Sequence, residues 1–184
     1  MDPPSSPAAL LSELAKGPVH PRLLDWLIRA LGPEHPVAKA LGPEEDPELS
    51  EGVSLARWRE ALALAFDHAP GQSPEDRWRW IGGRMSEGFF QSELGALVAQ
   101  SLHGAPAERY ISIIPKVIAL GRSDLGVEIH PASDGGWWVE IEDDRPRPEF
   151  VAGWVETALR RAEPHPKVVI TARGHSRYTL HASW

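Results

Sequence analysis

Eight histidines, 26 carboxylates and no cysteine bound the chemistry open to this chain of 184 residues. Without thiols there are no disulfides, thiolate zinc sites, iron–sulfur clusters or cysteine nucleophiles, so any metal would need His or carboxylate ligands. The histidines stand at 20, 35, 68, 103, 130, 165, 175 and 181, and no two frame a metal motif at helical spacing. His20, His35 and His165 adjoin prolines in turns. His130 and His181 fall in alternating stretches and share a strand face with Glu128, Glu140 and Glu142, where a solvated sheet face is a simpler reading than a metal site. A serine nucleophile would need a Gly-x-Ser-x-Gly elbow, which the sequence lacks. Gly82-Gly83 lies within a helical pattern and Gly135-Gly136 between two strands, so neither is a strand-to-helix phosphate loop. Asp143-Asp144 reads as a turn before an acidic helix start, and Arg84 with Glu87 as an i,i+3 pair. No catalytic residue, metal site or cofactor is assigned, and the chain is not expected to be an enzyme.

What remains is apolar recognition. Trp78, Met85 and Phe89 form one stripe of a long helical segment, and Trp137 and Trp154 come from a later strand and helix. These five are the expected lining of an apolar ligand pocket between helix and sheet, with plain core packing as the alternative. An enclosed space of about 300 Å³ or more would favour the ligand role. Trp138 alternates onto the opposite face from Trp137, beside Glu140, and that pair is expected to mark a contact surface.

The formal charge of −7 opposes the phosphate neutralisation that non-specific nucleic-acid binding requires. No run of 18 apolar residues is present, and the start Met1-Asp2-Pro3-Pro4 has no signal-peptide pattern, so no membrane partner and a cytoplasmic location are expected.

Residues 1–7 form a Pro/Ser leader, followed by helical segments over 8–16 and 20–31. The acidic, proline-bearing stretch 42–52 reads as a linker, dividing an N-terminal helical extension (1–49) from an α+β unit (50–184). Helices are predicted over 54–67 and, from the start signal Ser73-Pro74-Glu75-Asp76, over 74–103. A further helix from Pro106 is predicted to break at Pro115, leaving 116–123 extended. From Asp124 the hydrophobic period changes to two. A hairpin (125–130 and 137–142), a helix after Pro148 and a second hairpin (167–172 and 177–184) follow. The fold class is α+β: a helical N-terminal half packed on a small antiparallel sheet of order β-β-α-β-β.

Three passages resemble the myxobacterial paralogous family of domains of unknown function. They are Val53-Ser54-Leu55-Ala56-Arg57-Trp58 through Pro70-Gly71, Trp80-Ile81-Gly82-Gly83-Arg84-Met85-Ser86-Glu87-Gly88-Phe89-Phe90, and Arg177-Tyr178-Thr179-Leu180-His181-Ala182-Ser183-Trp184. The order of elements is also similar to haem–nitric-oxide-binding domains and to 4-vinyl reductase ligand-binding domains. That resemblance implies a small molecule held between helices and sheet. The Tyr-x-Ser-x-Arg haem signature and the paired cysteines are both missing, so it carries over neither haem nor zinc. The expected function is a small-molecule sensing or binding module in intracellular signalling. The alternative is a protein–protein adaptor, acting through the β face or the N-terminal helices as monomer or homodimer.

Overall fold

The computed structural model of the chain describes residues 19–41 and 55–184. The expected leader, the helix over 8–16 and the linker over 42–52 lie outside the described residues. Within them are seven helices, α1 (Pro21–Leu31), α2 (Pro36–Leu41), α3 (Leu55–His68), α4 (Pro74–Gln91), α5 (Glu93–Ser101), α6 (Ala107–Gly121) and α7 (Pro148–Leu159). Four strands, β1 (Gly126–Pro131), β2 (Trp137–Glu142), β3 (Lys167–Arg173) and β4 (Arg177–Ser183), form one antiparallel sheet, confirming the α+β class.

Helix α4 starts where its signals place it. Ser73 Oγ accepts the Asp76 N–H (3.1 Å) and the Asp76 carboxylate accepts the Ser73 N–H (3.2 Å), a reciprocal cap with Pro74 at the first helical position. It does not run to His103. Ser92 adopts an extended backbone, donates its hydroxyl to the Phe89 carbonyl (2.6 Å) and accepts the Gly95 N–H (3.1 Å). One side chain thus closes α4 and caps α5. The bend presses Gly95 onto the preceding turn, where a Cβ would lie 1.9 Å from the Phe89 carbonyl oxygen.

The predicted break at Pro115 is also corrected: α6 continues through it to Gly121. An interior proline costs about 3 kcal/mol. Burial of Tyr110, Ile111 and Ile114 before it and Val117 after it offsets that cost at about 1.5–3 kcal/mol per large side chain. The short helix α2, which has no clear sequence signal, is held by the wholly buried Val37 and by His35, whose Nδ1 accepts the Val37 N–H (3.2 Å).

The strand order is β1-β2-β4-β3, so the last strand inserts between β2 and β3 and the two hairpins join through β2 and β4. Register aligns Val127, Ile141 and Tyr178 in one row and Ile129, Val139, Leu180 and Ile170 in the next. These rows face inward, covered by α7 and α6. The opposite face carries Glu128 and Glu140 in one row and His130, Trp138, His181 and Val169 in another, as alternation predicts.

Helix α4 is the central element, between α7 on one side and α1 on the other. Glycines set both crossings. A Cβ on Gly82 would sit 1.8 Å from the Phe150 carbonyl oxygen, and one on Gly153 would sit 1.9 Å from that of Arg79, so α4 and α7 touch backbone to backbone. A Cβ on Gly88 would meet the Trp26 carbonyl oxygen of α1 at 1.8 Å. Arg79 bridges three elements, pairing with Glu156 of α7 (2.5 Å) and donating to the Val168 carbonyl of β3 (3.0 Å). Arg84 and Glu87 form a half-exposed ion pair on the surface of α4.

Two histidine caps make stability pH-dependent. His20 Nδ1 accepts the Arg22 N–H (3.2 Å) at the start of α1, as His35 does at the start of α2. Burial lowers both pKa values, with the charge of Arg22 adding to the effect at His20 and that of His68 at His35. Below the ordinary value of about 6.5 the unfolded chain therefore takes up protons before the folded one. Stability is expected to fall as pH drops from 7 to about 5. His35→Asn keeps a capping acceptor that does not titrate and should flatten the curve of Tm against pH. A wild-type Tm constant across that window would refute the assignment.

Candidate ligand-binding site

Where α1 and α3 face α6 and α7, side-chain packing leaves a partly open cavity of about 150 Å³. Its apolar wall comes from Leu23 and Trp26 of α1, Trp58 and Leu62 of α3, Met85 of α4, Val117 and Ile118 of α6, and Phe150, Val151 and Trp154 of α7. Leu125, just before β1, completes it. Trp58 and Leu62 are one helical turn apart, as are Phe150 and Trp154, so each helix presents one face. Val117 and Ile118 reach the wall only because α6 runs on past Pro115. Trp26, almost wholly buried, has an indole N–H with no acceptor among the described residues.

Charge gathers on the same lining. Arg59 comes from α3, Arg122 and Asp124 from the end of α6, and Asp143, Asp144, Arg145 and Arg147 from the β2–α7 connection. That connection is pinned by the Asp143 N–H donating to the Ser176 carbonyl (2.8 Å) and by Asp143 Oδ1 accepting the Arg145 N–H (2.9 Å). Arg122 donates to both oxygens of Asp124 (2.6 Å each). At Asp124 burial, which would raise the pKa, is outweighed by this pairing, and the carboxyl lies below its ordinary value. Arg147 lies over the Trp78 ring, its guanidinium carbon 4.1 Å from the centroid. Burial, followed by the charges of Arg59, Arg145 and Arg122 against that of Asp143, holds its pKa below the usual arginine value. Tyr178 is fully buried, its hydroxyl has no partner among the described residues, and burial raises its pKa.

Of the five residues expected to line a pocket, Met85 and Trp154 do so. Phe89 is buried edge-on against Trp26 (centroids 4.9 Å apart), and Trp78 stacks on Phe66 (4.9 Å) and supports Arg147 from behind. Trp137 is half-buried on the inner face of β2, away from the cavity, which has helices and connections rather than strands for walls. Trp138 lies on the outer face against the His181 ring (4.5 Å), and Glu140 is 4.0 Å from Arg177. Among the described residues no group of three or more His, Asp or Glu could hold a metal.

The model of a family of proteins of unknown function, DUF2378, matches residues 23–184. The chain belongs to the DUF2378 family. The match begins inside α1 and reaches further toward the N-terminus than the first resembling passage, which starts at Val53. No curated protein matches the sequence.

Solved structures similar to this DUF2378 chain are H-NOX domains. One, from work on haem redox potential and porphyrin distortion, is 15% identical with a TM-score of 0.64, covering 90% of this chain and 99% of that one. A second, from work on H-NOX activation, is 14% identical with a TM-score of 0.62 over 87% and 93%. A mutant H-NOX domain of T. tengcongensis is 15% identical with a TM-score of 0.56 over 94% and 90%. At these identities the likeness concerns the fold. The expected fold-level similarity to haem–nitric-oxide-binding domains is therefore confirmed.

Haem does not fit the residues lining this cavity. Its iron needs an axial His, Cys or Tyr, or a His with Met. The cavity wall has none of the first three, and Met85 is its sole sulfur. At about 150 Å³ and partly open, the space is below the roughly 300–1,000 Å³ of ordinary ligand pockets. It does not reach the enclosed volume of about 300 Å³ expected of a ligand role, so it leaves room for a small molecule alone.

Proposed function

We propose that this DUF2378 chain is a non-enzymatic small-molecule binding module, acting as a sensor, whose ligand occupies the cavity between α1, α3, α6 and α7. The observation that carries the reading is an apolar cavity walled by Trp26, Trp58 and Trp154 where the fold's two halves meet. An engineered apolar cavity of about 150 Å³ admits benzene or xenon, so this one suits a single ring or a short alkyl chain. The H-NOX fold supports a sensing role, since solved members include an oxygen-binding domain related to soluble guanylate cyclases. No described helix is long and apolar enough to cross a membrane.

A neutral probe tests the cavity itself. Excess 3-phenylpropanol should raise Tm, because a ligand of the folded state stabilises it by mass action. Leu125→Phe, which adds bulk at a half-buried wall position, should abolish the rise. An unchanged wild-type Tm at millimolar probe would refute the reading.

A second reading, a protein-binding role for the outer sheet face, is favoured by one row of side chains. Trp138 is stacked on His181, and Val169 beyond it is 40% exposed. If that row is a contact surface, Trp138→Ala should weaken self-association or partner binding by about 2 kcal/mol or more while Tm falls little. A large loss of Tm with unchanged association would instead assign Trp138 to intramolecular packing.

A further inference from the structure

We propose that the ligand is an amphipathic monoanion, an aromatic or short-chain carboxylate whose apolar end fills the cavity and whose charge is held by the arginines around it. This deepens the reading above and rests on it. The inference starts from a local reversal of charge. In a chain of formal charge −7, the cavity lining carries four arginines against three aspartates. Arg122 and Asp124 satisfy one another through two hydrogen bonds. The lining charges that remain are those of Arg59, Arg145 and Arg147 and of Asp143 and Asp144.

None of these three arginines forms an ion pair among the described residues. Other arginines are paired, Arg29 with Asp25, Arg79 with Glu156, Arg84 with Glu87, and Arg177 with Glu142, while Arg77 and Arg161 lie over aromatic rings. What sets the cavity arginines apart is that three of them share one lining. Arg147 is half-buried over Trp78, and its charge is disfavoured there by burial and by the neighbouring guanidiniums. A nearby anion would relieve both effects. Arg59 and Arg145 are exposed, free to turn onto a ligand without disturbing the core.

The imbalance is one unit of charge, which a carboxylate neutralises and a doubly charged phosphate would exceed. Guanidinium also matches a carboxylate through two parallel N–H donors, a geometry that an alcohol cannot use. A molecule with a ring in the cavity and a short chain ending in a carboxylate satisfies both parts of the lining.

Calorimetric titration of the full chain with ω-phenyl carboxylates of two to four chain carbons, beside the matching ω-phenyl alcohols, tests this. The best carboxylate should bind about tenfold more tightly than its alcohol at low salt, and the advantage should shrink as ionic strength rises. In the double variant Arg59→Gln, Arg145→Gln the two should bind within about threefold of each other, with the alcohol's affinity unchanged. Alcohol binding as tight as carboxylate binding in the wild type would overturn the proposal and leave the cavity reading intact. If neither class binds, both fall. A carboxylate preference that survives the double variant and does not respond to salt would also overturn it, since the recognition would lie elsewhere.

Discussion

Alanine at Gly82 or Gly153 should lower stability by about 3 kcal/mol or more, seen as a fall in Tm of roughly 10 °C. At each position the added methyl would overlap a carbonyl oxygen at under 2 Å, and a backbone atom in a packed helix cannot step aside as a side chain can. The only relief is to separate α4 from α7, which would disturb Phe150, Val151 and Trp154 together. Gly83 is the internal control. Its added methyl meets the Thr157 hydroxyl at 2.9 Å, the far end of a side chain that can rotate, while helix propensity gains up to about 1 kcal/mol. Gly83→Ala should therefore be close to neutral. Thermal unfolding of the three variants checks the crossing, and losses at Gly82 and Gly153 as small as that at Gly83 would show that it is looser than described.

Deleting residues 1–49 should abolish cooperative folding. The deletion removes α1, whose Leu23, Leu24, Trp26 and Leu27 are buried in the same core as α4 and α6, along with Val37 of α2. At about 1.5–3 kcal/mol per large buried side chain, the loss is comparable with the 5–15 kcal/mol that holds a whole domain together. It would also bare the Gly88 surface of α4 and open one wall of the cavity. The division expected from the acidic stretch at 42–52 makes the opposite prediction, a stable 50–184 fragment. A cooperative transition in that fragment, close to that of the full chain, would establish the division and remove α1 from the folding unit.

The sequence revealed elements better than it revealed the site. Period-two alternation placed both hairpins and both sheet faces, because side-chain direction in a strand follows from position alone. The Ser73-Pro74 signal placed the start of α4 for a similarly local reason. Ser92 was missed because the residues around it keep an apolar helical pattern, and only the tertiary bend turns Ser92 into a cap. Pro115 misled because its local cost is real, whereas the burial that offsets it comes from partners distant in sequence.

The cavity shows the same split. Met85 and Trp154 were identified by their place on apolar stripes, but Trp78, Phe89 and Trp137 lie on similar stripes and face other neighbours. The arginines were not identified at all. Arg59, Arg122 and Arg145 come from three separate segments, and no spacing in the chain announces that α3, the end of α6 and the β2–α7 connection converge. One signal was available: Asp143-Asp144-Arg145-Pro146-Arg147 concentrates more charge than a short strand-to-helix turn needs.

The most direct test of ligand binding uses the fact that the chain has two methionines, Met1 and Met85. Labelling the methionine methyl groups with carbon-13 gives two signals, one of them from Met85 of the cavity wall. Titration with 3-phenylpropionate should shift the Met85 resonance saturably, with one-to-one stoichiometry. A Met85 resonance unchanged up to millimolar probe, for the carboxylate and its alcohol alike, would contradict a ligand site in this cavity.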